Sequence, residues 1–223
     1  MKKQKEQKWS SDLAYAIGLL TTDGNLSKDG RHITFRSSDI ELLKNFKRCL
    51  ALKTNIAKTK NDSWAQKPCY RIQFSDKRLF LRLIKIGLFP NKTYKIGKLK
   101  IPHQYFKDFL RGHLDGDGCI TVYQDKWNTF KKSKYIYTRL TTRFYSASKT
   151  HIKWIRETII KLLDIKGHLC EEKAKRSYQN TSMWVLKFGK KESLKLLRWI
   201  YYEPNILCLK RKKLKFKNFI LAG

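Results

Sequence analysis

Ala16-Ile17-Gly18-Leu19-Leu20-Thr21-Thr22-Asp23-Gly24 and Leu110-Arg111-Gly112-His113-Leu114-Asp115-Gly116-Asp117-Gly118 are two versions of one nine-residue phrase. Both read Gly-x-Leu-x-x-Asp-Gly at their centre and end. Each closes an apolar run with helical spacing. Before the first copy, Ser10-Ser11-Asp12 offers N-cap chemistry, and Leu13, Ala14, Ala16, Ile17, Leu19 and Leu20 follow, so a helix stopped by Gly24 is predicted. Almost no face of it is polar, which predicts burial or packing on another helix. Tyr105 to Leu114 repeats the pattern before Asp115-Gly-Asp-Gly118.

Outward from each copy the same order of elements is legible. After Gly24 come two short strand-like runs, the second being His32–Ser37, then an amphipathic helix over 39–50 with Ile40, Leu43, Phe46 and Leu50 on one stripe. Alternation returns at 55–60 and 70–74, a helix covers about 76–87, and a lysine-rich segment between Pro90 and Pro102 reads as a linker. After the second copy, 119–123 and 135–145 are strand-like, 149–163 is helical, 168–175 and 183–188 are strand-like, and a helix over 192–202 closes the pattern. Phe74 precedes Pro90-Asn91 by sixteen positions, and Phe188 precedes Pro204-Asn205 by sixteen. This is an internal repeat. The expected class is α+β: two pseudo-symmetric αββαββα halves, residues 1–98 and 99–223.

Fifty Lys+Arg face eighteen Asp+Glu, a net charge of +32. A folded chain with that excess repels itself unless it meets a polyanion. An anionic membrane is one candidate, but basic residues spread through the chain and interleaved with aromatics favour nucleic acid. Five cysteines without C-x-x-C suggest buried reduced thiols rather than a disulfide framework or zinc site. The first nine residues are polar and basic, so no signal peptide is expected, and no apolar run reaches membrane-spanning length. A cytoplasmic or organellar-matrix location, not secretion, follows as an expectation.

The two phrases resemble the two LAGLIDADG motifs of the single-chain homing endonucleases, and Phe109 and Cys119-Ile120 beside the second copy add to the likeness. The resemblance covers roughly residues 10–220. Thr21 stands where the first motif's earlier acid usually lies, which is not the metal-binding position. By resemblance the two halves form a saddle over DNA, the motif helices pack side by side at its seam, Gly18 and Gly112 allow their close approach, and Asp23 and Asp117 emerge next to the scissile phosphates. Carboxylates there would hold Mg2+, with Mn2+ or Ca2+ possible at the same site, and the backbone carbonyls of Thr22 and Gly116 would add ligands. Either Asp-Gly alone is as well explained as a turn; the matched pair in so basic a chain favours catalysis. A calcium loop over Asp115-Gly-Asp117-Gly118 fails, because Cys119 stands where a third ligand belongs.

The resemblance also implies a lysine near each cut. Pro90-Asn91-Lys92-Thr93 and Leu209-Lys210-Arg211-Lys212 match those places; Lys92 and Lys210 are the choices, with Lys212 a close rival. Ser37 and Ser146 end the second strand of each half, where the family carries a polar residue near the cleavage site. The outward face of each sheet should contact DNA, since a twisted sheet lies along the major groove. Alternation selects Ser27, Asp29, Thr34, Arg36, Lys58, Lys60, Arg71 and Gln73 in the first half. In the second it selects Thr121, Tyr123, Asp125, Arg139, Thr141, Arg143, Glu171, Lys173, Lys175 and Lys187. Trp64, Trp127 and Trp184 are read as core or loop. The implied function is metal-dependent cleavage of both strands of a long pseudo-palindromic DNA site by a monomer, leaving short 3′ overhangs, the enzyme being encoded in an intron or intein. The alternatives are an intron maturase, with host intron RNA as partner, or a DNA-binding regulator of the same fold without cleavage.

Overall fold

The computed structural model describes residues 8–59, 68–127, 130, 132–134, 136–173 and 182–221; Lys60, Trp64 and Lys175 lie outside them. Helix α1 (Ser11–Asp23) starts as the sequence predicts, with the Ser10 side chain accepting the Leu13 N–H. It runs directly into β1 (Gly24–Leu26), which pairs with β2 (His32–Ser37). Helix α2 (Ile40–Cys49), capped by Asp39, leads to a two-residue β3 (Ala57–Lys58) and to β4 (Tyr70–Ser75). Helix α3 (Lys77–Ile86), capped by Asp76, ends the first unit. After a connecting segment, α4 (Phe106–Gly116), β5 (Cys119–Asp125), β6 (Tyr137–Ser146), α5 (Lys149–Leu163), β7 (His168–Glu172), β8 (Met183–Phe188) and α6 (Lys190–Ile200) repeat that order.

The repeat is topological as well as sequential. One antiparallel sheet has the order β1-β2-β4-β3 and the other β5-β6-β8-β7. Each sheet turns one face to helices: Ile33, Phe35, Ile72 and Phe74 in the first, Ile120, Leu140, Phe144, Leu186 and Phe188 in the second. The α+β class and the two halves of like topology are as read from the sequence.

One helix was not read. Helix α7 (Lys210–Leu221) follows the second unit. Its sequence, Lys-Arg-Lys-Lys-Leu-Lys-Phe-Lys-Asn-Phe-Ile-Leu, puts Leu214 and Leu221 on the side opposite Phe216 and Phe219, so no single helical stripe shows. Phe216 and Phe219 anchor it, and the stems of Lys212 and Lys213 supply the rest of its buried face. It ties the halves together: Arg211 Nε donates to Asp39 Oδ2 at 3.0 Å and the Lys210 N–H to Glu41 Oε1 at 3.4 Å. Just ahead of it, Asn45 Nδ2 donates to the Cys208 carbonyl at 3.0 Å. The segment after α3 is likewise bound to the second unit, with Ser148 Oγ donating to the Ile96 carbonyl at 2.5 Å and His151 Nδ1 2.8 Å from the Gly97 carbonyl.

Of the five free cysteines only Cys208 is buried; the rest are half-buried, so the expected buried thiols hold for one of them. Among the described residues no helix is long and apolar enough to cross a membrane.

Candidate active site at the helix seam

Helices α1 and α4 cross where Gly18 meets Gly112. A Cβ built on Gly18 would stand 2.2 Å from the Phe109 carbonyl oxygen and 2.9 Å from the Gly112 Cα; one on Gly112 would stand 2.2 Å from the Tyr15 carbonyl oxygen. Only hydrogen at both positions permits this backbone contact. The crossing lets both helices end side by side. Asp23 is the last residue of α1, and Asp117 caps α4, its N–H donating to the His113 carbonyl at 3.2 Å.

Asp23 feels the charge of Asp117. Burial pushes Asp23 up from 3.8 to about 6, the charge of Asp117 adds to this, and Thr22, Lys212 and Lys92 pull the other way. Thr22 Oγ donates to Asp23 Oδ2 at 3.2 Å and to the Leu19 carbonyl at 2.9 Å. Asp117 is open to solvent on one side. The protein packed around it still raises it, against the pull of Lys212 and Lys92. Two partly desolvated carboxylates at one point favour arrival of a cation.

Two lysines complete the cluster, reaching from different elements to equivalent carbonyls of the two motifs. Lys92, buried in the turn after α3, donates through Nζ to the carbonyl of Gly24. Lys212, buried on α7, donates to the carbonyl of Gly118 at 2.6 Å. Gly24 and Gly118 are matching ends of the two motifs. Lys212 also donates to the carbonyls of Leu114 at 2.6 Å and Asp115 at 2.8 Å and lies 3.3 Å from that of Gly116. It therefore caps the C-terminal end of α4, where carbonyls lack helical partners. Burial lowers both lysines to about 8, against the pull of the nearby aspartates.

Lys210 is not brought to this cluster. It is exposed at the first turn of α7. Two helical positions are about 200° of rotation, so when Lys212 faces the seam Lys210 faces away. Asp115, the earlier acid of the second motif, is fully buried below the cluster. It accepts from Tyr15 Oη at 2.8 Å and from the Leu209 N–H at 2.7 Å, and burial raises it to about 6. Thr21, its counterpart, bonds instead to its own helix at the Ile17 carbonyl, 2.8 Å away. Gly116, expected as a carbonyl ligand, packs on Thr22: a Cβ there would stand 2.0 Å from Thr22 Oγ and 2.9 Å from Asp23 Oδ2. Among the described residues no group of three His, Cys, Asp or Glu side chains could hold a metal by itself. The donor set is two carboxylates with backbone oxygens beside them. That fits Mg2+, which is commonly bound through one or two carboxylates, with waters and substrate phosphates completing its shell.

The outward faces of the sheets follow from the register. In the first sheet Thr34 lies opposite Gln73 and Asn25, and Arg36 opposite Arg71, all away from the core. Ser27 and Asp29 lie past the end of β1 in the turn, where Asp29 Oδ1 accepts the N–H groups of Arg31 and His32 at 3.1 Å each; Asn25, not selected from the sequence, occupies the strand face. Lys58 pairs with Tyr70, which pairs with Ser37, on the core side of the sheet; Ala57 pairs with Arg71 on the outward side. In the second sheet Thr121 opposite Thr141, Tyr123 opposite Arg139, Asp125 opposite Tyr137, and Cys119 with Arg143 and Lys187 share the outward face. Glu171 pairs with Trp184 and through it with Ser146, on the core side, and Lys173 lies beyond the strand end. Leu169 packs inward opposite Leu186, so His168, Cys170 and Glu172 face outward. With Leu169 and Cys170 adjacent, the strand's own sequence leaves its phase open. Ser37 and Ser146 sit at equivalent places and both accept a helix-entry N–H, from Asp39 and Ser148, at 3.1 Å.

Against known proteins, residues 10–86 match the model of the LAGLIDADG-like domain. No curated protein sequence matches the chain. In fold the chain is similar to the meganuclease I-SmaMI bound to uncleaveable DNA (TM-score 0.60, 12% identity, 98% of this chain and 91% of that one). It is similar also to the homing endonuclease I-DmoI in complex with DNA and Mn (TM-score 0.51, 16% identity, 86% and 97%). A third similar structure is full-length DUF199/WhiA from Thermatoga maritima (TM-score 0.56, 15% identity), of which the chain spans 62% while 97% of this chain is covered. The chain thus has the fold of the two-domain LAGLIDADG structures, the match to the domain model falling on residues 10–86.

Proposed function

We propose that this chain is a site-specific DNA endonuclease that cuts both strands of a long duplex site with the help of a divalent metal. One observation carries the reading: Asp23 and Asp117, nearly a hundred residues apart, are brought together at the ends of two tightly crossed helices, flanked by Lys92 and Lys212. Likeness to I-SmaMI and I-DmoI, both solved with DNA, supports it, as does the presence of Mn in the I-DmoI complex. Residues 1–98 and 99–223 would each read one half of the target. Because the halves differ in sequence, that target is pseudo-palindromic at most.

In this reading Asp23 and Asp117 hold Mg2+ or a similar ion between the halves, with the carbonyls of Thr22 and Gly116 at hand. When bound, the ion stabilises negative charge on the attacking and leaving oxygens of the phosphodiester. Lys92 and Lys212 keep positive charge beside those oxygens and fix the ends of both motifs through Gly24 and Gly118. Arg36, Arg71 and Gln73, with Arg139, Arg143 and Lys187, lie on outward strand faces, where Arg and Gln can read guanine and adenine edges. Short 3′ overhangs, a monomeric enzyme and an intron- or intein-encoded origin complete the proposal.

A second reading, a DNA-binding regulator of the same fold that does not cut, is kept by the likeness in fold to WhiA. One assay separates the two. Duplexes selected from a random library by the wild-type chain in Ca2+ are cloned into a supercoiled plasmid and incubated with Mg2+ or Mn2+. The endonuclease reading expects linearisation by wild type, and binding without linearisation by Asp23→Asn and Asp117→Asn. Wild-type binding without cutting in either metal establishes the regulator reading. Full-rate cutting by either Asn variant removes the assigned site.

A further inference from the structure

The two halves bring a lysine to equivalent carbonyls, those of Gly24 and Gly118, by unequal routes. Lys92 follows the end of α3 at Ile86 by six residues. Its own turn fixes it, its carbonyl accepting the N–H groups of Lys95 at 2.9 Å and Ile96 at 2.7 Å. Lys212 follows the end of α6 at Ile200 by twelve residues, the first nine of them outside helix or strand. A longer irregular connection has more conformations to lose, so its course has to be set by contacts from outside it. Helix α7 brings no single apolar stripe to set its own phase.

Arg111, inside the second motif on α4, supplies such contacts. It is a charged residue only 1% exposed. Its Nε donates to the Leu207 carbonyl at 2.8 Å, and its Nη1 to the Ile200 carbonyl at 3.2 Å and to Asp108 Oδ1 at 2.8 Å. One guanidinium therefore ties the last residue of α6 to the residue three before α7. Its carbon lies 5.2 Å from the centre of the Tyr15 ring and 5.8 Å from that of Tyr202, within reach of both π faces. Tyr202, in the same connection, donates through Oη to Asp108 Oδ1 at 3.0 Å. Four residues further along α4, and so on the same helix face, Asp115 accepts the Leu209 N–H at 2.7 Å. The counterpart of Arg111 in the first motif is Ile17, an ordinary core residue. A buried ion pair adds little stability over an apolar pair of the same volume, and its best attested use is to fix register. The guanidinium fork, with donors in set directions, suits that use.

Building on the endonuclease reading, we propose that Arg111 is a positioning residue for Lys212: it sets the entry of α7, and thereby the seat of that lysine at the Gly118 carbonyl beside Asp117, for one of the two strand cuts. Its hydrogen bonds go to Asp108 and to the connection, not to the aspartates of the cluster. Ile17 can make no such clamp, and Lys92, held by its own turn, needs none. Loss of the guanidinium therefore leaves the cut served by Lys92 as it was and impairs the other. The two cuts are separable at a residue remote from the phosphates.

Removing the guanidinium alone strands the Asp108 carboxylate in the interior and endangers folding. The test variant is therefore Asp108→Asn/Arg111→Met, which removes both charges. Arg111→Lys, which keeps a cation beside Asp108 but lacks the fork, is read in parallel. Each is assayed below its melting temperature, at saturating protein in Mg2+, on a supercoiled plasmid carrying a duplex selected by the wild-type chain in Ca2+, with cuts mapped on each strand. Both variants should bind the duplex in Ca2+ within about twofold of wild type, cut one strand at the wild-type rate and cut the other about tenfold or more slowly, so that nicked circles accumulate. Lys212→Met should slow the same strand, and combining it with Asp108→Asn/Arg111→Met should slow that strand no further, because both changes act on one contact. A general loss of structure would slow both strands alike. Equal slowing of both strands, wild-type rates on both, slowing of the strand that Lys212→Met spares, or multiplied losses in the combined variant would each overturn the positioning role and leave the endonuclease reading standing. A wild-type chain that selects no duplex, or cuts neither strand, removes both proposals together.

Discussion

Replacing Gly18 by Ala adds one methyl group at the point where the two motif helices touch. The added Cβ would stand 2.2 Å from the Phe109 carbonyl oxygen, 2.8 Å from the His113 nitrogen and 2.9 Å from the Gly112 Cα. All three are backbone atoms, so no side chain can swing aside. Ordinary contact begins near 3.4 Å. The helices must therefore separate by about 1 Å along the seam, in an interior that does not compress. Overpacking of this kind costs on the order of 1–3 kcal/mol. For a chain of this size each kcal/mol lowers the melting temperature by roughly 2–4 °C, so a fall of about 2–12 °C is expected. Cleavage should suffer more than stability. Asp23 ends one of the displaced helices and Asp117 caps the other, and a misplacement of about 1 Å at reacting groups costs about a hundredfold in rate. Gly97→Ala is the control, because its Cβ would meet only the Thr150 methyl, at 3.8 Å. Thermal denaturation by circular dichroism and plasmid linearisation in Mg2+ give the two readouts. A Gly18→Ala variant that melts with the Gly97→Ala control and cuts at full rate would refute the seam geometry and the placement of the acids.

The carboxylate cluster predicts a trade between stability and activity. Asp23 is raised from 3.8 to about 6, so the folded protein holds that proton more tightly than the unfolded chain, and its charge costs stability as pH rises through 4–6. In metal-free buffer at pH 7.5, Asp23→Asn should therefore melt a few degrees above wild type, the gap closing below about pH 4; a lower melting temperature for the variant would reverse the assigned sign. Because metal ligands must be deprotonated, plasmid cleavage by wild type should fall as pH drops below about 6, and a flat profile down to pH 5 would contradict it. Lys212→Met strands the buried carbonyls at the end of α4 and should cost on the order of 3 kcal/mol in denaturant unfolding, whereas Lys210→Met, at an exposed position, should stay within about 0.5 kcal/mol; equal effects would undo the exchange of their roles. With net charge +32, affinity for duplex should drop roughly a thousandfold between 50 and 200 mM salt, and a nearly flat dependence would mean the basic surface is no DNA footprint.

Much of the site was legible before folding because its cues are local. A helix that ends in Asp-Gly is written in the residues that form it, and two copies of the phrase declare two such ends. Strand faces were legible where apolar and polar residues alternate without interruption, as at Ile33-Thr34-Phe35-Arg36 and Ile72-Gln73-Phe74, and there the selected residues do face outward. Where alternation breaks, at Leu169-Cys170, the phase depended on pairing with Leu186, and Glu171 and Lys173 were misplaced.

By itself, then, the sequence determined the α+β class, the twofold repeat, the two glycines small enough for a seam and the two acids that follow them. The tertiary structure decided what depends on contacts distant in the chain. It chose Lys212 over Lys210, because α7 has little apolar stripe of its own and takes its phase from the carbonyls at the end of α4, nearly a hundred residues earlier. It made Asp115 a tie to Tyr15 and Leu209 and left Thr21 bonded to its own helix, so that two like motifs hold unlike interiors. It also showed that β6 outruns its neighbour β8 and leaves Trp127 and Phe130 in solvent. Local sequence specifies dihedral angles and periods; which atoms meet across the chain is set by burial and register, and those exist only once the chain has closed on itself.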